Sequence, residues 1–201
     1  MPFSPVELNI FLGIIGMTFA STNAYIGLHY FVLRKYEKLD PLLLRLHHLF
    51  GAIGTTFFYI IAFLCFMTFL DSWSLGTPPK DLDVTSSYFI HSFVGFVAVP
   101  IFSLKVVFGY FKPKYVQNRA KQFGVFVAFA WLAVWSTSVW DYYWHSIPDL
   151  GFDPFYIEPL YFSEMVIVSA LITFLIPFLT ALILYLVIRT QIKTKEKIEE
   201  E

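Results

Sequence analysis

Two histidine–glycine elements hold the residues of this sequence that are best suited to chemistry. His47 is followed by Gly51 and Gly54, and His91 is followed by Gly95. Residues three, four and seven positions apart share one face of an α-helix, so each imidazole would lie beside a strip without side chains. A flat, bulky cofactor ligated by an imidazole needs such a strip. The spacing therefore predicts that His47 and His91 bind haem iron, with the glycines against the porphyrin.

The segments that carry these histidines are strongly apolar. Of the 201 residues, 57% are hydrophobic and 14% are charged, whereas soluble domains average about 25% charged residues. Backbone groups in hydrocarbon must be hydrogen-bonded internally, which favours helices. We expect an all-α fold, a single five-helix membrane domain over residues 1–201. Five segments exceed the ~20 residues that a span requires: roughly Val6–Leu33, Leu42–Leu70, Tyr88–Phe111, Phe123–Trp144 and Met165–Ile188.

Basic residues cluster on one side of this predicted bundle. With five spans, twelve of the 14 Lys and Arg residues flank the first loop, the third loop and the C-terminal tail, while the other loops are mainly acidic. The positive-inside rule then predicts an N-terminus outside and a C-terminus in the cytoplasm. We expect no removable signal peptide, because the N-terminus lacks a basic region before a short apolar core. The predicted location is the cytoplasmic membrane of a prokaryote.

The five histidines form two groups under this topology. His29, His47 and His48 would lie near the cytoplasmic face, and His91 and His145 near the outer face. At ~1.5 Å per residue, the groups are roughly 20–30 Å apart. Two imidazoles on different helices at one level can ligate a haem iron from both sides. His29 and His145 are therefore candidate haem ligands, although each also fits an interfacial or locally hydrogen-bonded histidine, and a single-haem protein stays open.

Two basic residues near the cytoplasmic face are candidate partners of haem propionates. Lys105 follows His91 by fourteen residues, so it returns to nearly the same helix face, at about the depth of His47. A charged group in hydrocarbon needs a partner. We expect a haem propionate or a carboxylate there, or else a lysine that extends to the cytoplasmic surface. Arg45, two residues before His47, is the second candidate.

Further polar side chains fit a quinone site or contacts between helices. His48 points ~100° away from His47 and could line a quinone pocket, bond a neighbouring group or meet lipid headgroups. Glu164, near the outer boundary, could accept a proton from a quinol. Ser136–Ser138 can hydrogen-bond across helices. Cys65 is the only cysteine, so an internal disulfide is excluded and a packing role is expected.

The elements HHLFG and HSFVG, with FLCF late in the second span and Lys105 in the third, resemble the small membrane cytochromes b of bacteria and archaea. They are similar in style to the diheme ascorbate-reducing and quinone-linked cytochromes b. The likeness covers about Leu44 to Phe111. It implies b-type haem bound by His47 and His91, and electron exchange with a quinone pool or a redox partner. The five-helix quinol subunits of the nitrate-reductase type differ, since they carry paired histidines within their spans.

These features favour a haem b-binding electron-transfer subunit of a larger respiratory complex, with one or two haems. Its expected partners are membrane lipid, other subunits of the complex and a quinone, and no nucleic acid. No nucleotide-binding glycine loop or nucleophile motif occurs, so substrate chemistry would belong to a partner. The first alternative is a cofactor-free structural subunit of a membrane enzyme. The second is a metal-binding or transport protein that uses His29, His47 and His48.

Overall fold

The computed structural model describes residues 5–29, 41–74, 87–112, 119–144 and 166–200. Over these residues the protein is all-α and contains no strand. The five helices are α1 (Pro5–Leu28), α2 (Pro41–Ser74), α3 (Ser87–Phe111), α4 (Ala120–Trp144) and α5 (Val166–Glu200). Each contains a stretch long and apolar enough to cross a membrane. The predicted fold class, a bundle of five membrane-spanning helices, is confirmed.

The helix ends lie within four residues of the predicted spans, apart from α5 and the first span. α5 continues to Glu200, past the predicted end at Ile188. The residues after Ile188 are mostly Lys, Glu, Gln and Thr, and the Lys, Glu and Gln among them are good helix formers, so the helix extends beyond its apolar stretch. Residues 30–33, the end of the first predicted span, lie outside the described residues.

α1 is the central helix, because it packs against α2, α4 and α5. In its apolar stretch 39% of the residues are buried inside the structure, against 11% in that of α3. Two glycines of α1 permit this. Gly13 lies against the Trp135 ring of α4, and Gly16 lies against Phe57 of α2. Small residues let helix backbones approach closely in a membrane, where dispersion rather than hydrophobic exclusion drives helix association.

α1 and α2 form an antiparallel pair with a regular series of close contacts. A Cβ placed on Gly54 would lie 3.3 Å from the backbone nitrogen of Ala20, and one on Gly51 would lie 3.1 Å from Nδ2 of Asn23. The same face continues toward the start of α2, where the His47 ring lies against Gly27. The glycine strip of α2 therefore contacts α1 directly.

An aromatic block fills the centre of the bundle and joins α2, α3 and α4. The rings of Phe58 and Phe102 stack with centroids 4.1 Å apart, and Trp131 contacts both edge-on, at 5.5 and 5.7 Å. Beside this block, the Tyr59 hydroxyl and Ser103 Oγ are 2.9 Å apart. The aromatic block (Phe58, Phe102 and Trp131) divides the interior into two ends. We call them the basic end, where α1 and α3 end and α2 begins, and the distal end, where α3 begins and α4 ends.

α5 packs on the outside of the four-helix arrangement, against α1 and α4. The indole N–H of Trp135 donates a hydrogen bond of 3.2 Å to the carbonyl of Phe174, and the hydroxyls of Tyr143 and Thr173 are 2.7 Å apart. Trp135 also contacts Gly13 of α1. A single residue of α4 thus connects the central helix to α5.

We expect Gly54→Leu to separate α1 from α2 and to lower the free energy of unfolding by about 1–3 kcal/mol, the usual cost of overpacking. Reversible unfolding in micelles measures it. The matched control is Gly109→Leu in α3, because a Cβ there meets no atom within 4 Å. Equal destabilisation by both variants would contradict the contact between α1 and α2.

Candidate functional site

His47 lies at the basic end with its ring fixed by α1. Its Nδ1 is 3.2 Å from the backbone oxygen of Asn23. A carbonyl oxygen only accepts hydrogen bonds, so Nδ1 must carry the proton and donate it. The ring lone pair is then on Nε2. Histidines that ligate metals show this same pattern, in which one nitrogen donates to a carbonyl and the other ligates the metal.

His48 and Lys105 adjoin His47 at the basic end. The ring centroids of His47 and His48 are 5.9 Å apart, and the side chains of both His48 and Lys105 lie within electrostatic range of the His47 imidazole. His48 and Arg45 are exposed on α2, and Lys105 is half-buried on α3. The structure therefore brings Lys105 near His47.

His29 is close to the level of His47 but faces another helix. It is only 8% exposed, and its ring centroid is 6.0 Å from that of Tyr185 in α5. Gly27, which contacts His47, precedes His29 by two residues, or ~200° around a helix. The α1 backbone lies between the two imidazoles, so the structure does not bring His29 and His47 together as the two ligands of one haem.

His91 lies at the distal end and is held by α4. Its Nδ1 is 3.3 Å from Thr137 Oγ1 and 3.3 Å from Ser138 Oγ. Both hydroxyls donate to backbone carbonyls of α4, at 3.0 Å for Thr137 and 2.8 Å for Ser138. Each hydroxyl has a single proton, so toward His91 each acts as an acceptor. His91 therefore donates from Nδ1 and carries its lone pair on Nε2, like His47.

Three more polar residues, Asp141, Asn9 and Cys65, lie at the distal end, so that all four inner helices contribute to it. Asp141 of α4 is within electrostatic range of both His91 and Cys65. Asn9 of α1 donates to Cys65 Sγ of α2 at 3.7 Å, and its buried Oδ1 has no hydrogen-bond partner among the described residues. His145 and Glu164, both predicted near this end, lie outside the described residues.

The glycine strip of α2 and the Gly95 position of α3 differ in how close the nearest atoms of other helices lie. Gly51 and Gly54 lie against Asn23 and Ala20 of α1, so a porphyrin does not fit between these helices. The predicted haem-facing role of these two glycines is thus replaced by a contact between helices. A Cβ on Gly95, in contrast, meets no atom within 4 Å. Gly95, one turn after His91 in α3, therefore adjoins open space rather than a neighbouring helix.

His47 and His91 belong to two separate sites. The pairing of Tyr59 with Ser103 aligns α2 with α3, and each histidine precedes its helix's paired residue by twelve positions. Because the helices run in opposite directions, the two imidazoles are roughly 36 Å apart along the bundle at ~1.5 Å per residue. The two axial ligands of one iron must be neighbours, so one haem cannot be ligated by both. No group of three or more His, Cys, Asp or Glu that could hold a metal ion occurs in the described part of the chain.

The sequence predicted only some of the hydrogen-bond partners of the two imidazoles. The prediction that Ser136–Ser138 bond across helices is confirmed for Thr137 and Ser138. That they bond His91 depends on the rotation of α3 against α4, which the sequence does not reveal. The available signal was topological, because His91 early in α3 and Thr137 late in α4 fall at one level in antiparallel neighbours.

Comparison of this chain with protein-family models, with curated proteins and with solved structures finds no match. The fold and its five apolar stretches define the class, a helical membrane protein.

We expect ¹⁵N NMR of the isolated chain to show a proton on Nδ1 of both His47 and His91, because each Nδ1 faces an acceptor. In the double variant Thr137→Val with Ser138→Ala, the Nδ1 signal of His91 should shift while that of His47 stays in place. A lone pair on Nδ1 of His91 in the unmodified chain would contradict the hydrogen bonds to α4.

Proposed function

We propose that this protein is a membrane electron-transfer protein that binds haem b through His91 at the distal end and, in a second site, through His47 at the basic end. The observation that carries the proposal is the combination found at His91. Its Nδ1 is engaged by Thr137 and Ser138, and Gly95, one turn further along α3, adjoins open space. When bound, haem b takes up and releases single electrons.

The residues around His91 orient the ring and set the charge near it. Thr137 and Ser138 accept the Nδ1 hydrogen bond and prevent the ring from turning away from the cofactor side. Such bonds also make the ligating nitrogen more basic. Asp141 adds a negative charge within electrostatic range, which favours positive charge that develops at this end on oxidation.

His47 supports a second site of similar design. The Asn23 carbonyl fixes its Nδ1 proton, so Nε2 is the ligating atom. Because α1 covers the Gly51–Gly54 face, a haem on His47 would bind on another side of α2, where Arg45 is an exposed candidate partner for a propionate. Two sites separated by the aromatic block would place redox centres near the two membrane faces.

Partner subunits and a quinone complete the proposal. α3 and α4 present large apolar side chains outward, with Phe96 79% and Phe129 71% exposed. Such side chains suit contact with lipid or with apolar helices of another subunit. We propose that the protein exchanges electrons with a quinone or with partner subunits, in a prokaryotic cytoplasmic membrane with the basic end inside.

The visible difference spectrum of the purified full-length protein, reduced minus oxidised, tests the haem proposal. We expect a sharp α-band of b-type haem, the loss of one haem in His91→Ala and of another in His47→Ala, because each variant removes a ligating nitrogen. His48→Ala is the matched control, since this exposed histidine should leave the haem content unchanged. An absent α-band, or full haem content in His91→Ala, would overturn the proposal.

A cofactor-free structural subunit is the second candidate function. It is favoured by the close contact of Gly51 and Gly54 with α1, since glycines used for packing need no cofactor to explain them. Under this alternative the hydrogen bonds of His47 and His91 only join helices. The difference spectrum described above distinguishes the two functions.

Reporter fusions to the C-terminus test the proposed orientation. Because the described basic end carries exposed Arg45, Lys112, Arg119 and Lys121, we expect a fluorescent protein fused after Glu201 to mature in the cytoplasm. A phosphatase that folds only outside should be inactive at the same position. Active phosphatase there would reverse the orientation.

A further inference from the structure

Lys105 is a basic side chain inside a membrane span, where its positive charge requires a nearby anion. It precedes Phe111, the last residue of the span Ile90–Phe111, by six residues, which corresponds to ~9 Å along the helix. The side chain is half-buried. Within the described part of the chain Lys105 has no hydrogen bond or ion pair. An unpaired ammonium in hydrocarbon is costly, so charged residues in spans are usually paired.

The groups placed near Lys105 do not supply that anion. Lys105 acts electrostatically on His47, as does His48, and both of these α2 residues are bases. Among the described residues no carboxylate acts on Lys105. The anion must therefore come from outside the described part of the protein.

The position of Lys105 points to the membrane as the source of the anion. Its neighbours Leu104 and Val106 are 52% and 50% exposed, and His48 and Leu49 are exposed on α2. Lys105 thus lies on a partly lipid-exposed side of α3, on the basic-end side of the aromatic block. The long lysine stem can extend its ammonium group toward the headgroup layer. The anionic group of that layer is the lipid phosphate.

We propose that Lys105 of α3, together with His48 of α2, binds the phosphate group of an acidic phospholipid at the basic end. The ammonium donates charge-assisted hydrogen bonds to the phosphate oxygens. The lipid tail lies along exposed apolar side chains of this end of the bundle, such as Leu49 and Leu104. This site does not depend on haem, so it stands or falls separately from the proposed electron transfer.

The test uses the full-length protein in nanodiscs of phosphatidylcholine with and without phosphatidylglycerol. After gentle delipidation, native mass spectrometry counts the retained lipid. We expect the unmodified protein to keep about one phosphatidylglycerol per chain, and Lys105→Gln to bind it about tenfold more weakly, as expected for the loss of a charged hydrogen bond. Lys105→Arg should retain the lipid. The matched control is Lys121→Gln, an exposed basic residue near the same end, which should behave like the unmodified protein.

Further measurements distinguish which anion binds Lys105. If inorganic phosphate raises the Tm of the lipid-free protein in detergent, and Lys105→Gln abolishes this shift, the site holds and a soluble phosphate also occupies it. Equal retention of phosphatidylglycerol by Lys105→Gln and the unmodified protein overturns the site. A loss of haem from Lys105→Gln with unchanged lipid retention also overturns it, because the anion is then a haem propionate. His91→Ala should retain the lipid normally. The lipid result can therefore be interpreted even if the haem proposal fails.

Discussion

The close approach of α1 to α2 is the contact on which the rest of the structure depends. Membrane helices gain little from hydrophobic exclusion, so their association depends on tight packing between small residues. Gly51 and Gly54 give α2 a flat face that lies on Ala20 and Asn23. The same contact positions the ring of His47 against α1 and fixes the level of every residue along α2. α1 thereby becomes the central helix, with α4 and α5 on its other sides.

The bundle keeps His47 and His91 at its two ends, with the apolar aromatic block between them. Phe58, Phe102 and Trp131 pack ring against ring at the centre. Polar groups buried in hydrocarbon must find partners within the protein, and the histidine at each end has a different kind of hydrogen-bond acceptor. At the distal end, the hydroxyls of α4 accept from His91. At the basic end, a backbone carbonyl of α1 accepts from His47. In both histidines Nε2 is the ring atom with the lone pair.

The contrast between the two glycine strips shows how one motif can serve two purposes. Histidine followed four residues later by glycine occurs in both α2 and α3, yet α2 uses its glycines to approach α1 and α3 leaves Gly95 beside open space. A strip without side chains is attractive both to a neighbouring helix and to a flat ring, since each gains dispersion contacts from a close approach. Which of the two is realised depends on what the rest of the fold brings to that face.

The sequence by itself determined the five spans, because continuous apolar stretches in hydrocarbon have no alternative to helix formation. It also predicted Lys105 at about the depth of His47, whereas the pairing of Tyr59 with Ser103 puts their backbones ~15 Å apart along the bundle. Only the tertiary structure decided which faces meet. His29 and His47 lie near one level, yet α1 separates them, and His91 meets Thr137 and Ser138 through a rotation of α3 that no pattern encodes. The reason is physical: spans that are apolar on all sides carry almost no amphipathic signal, so their mutual rotation is set by shape complementarity at the contacts.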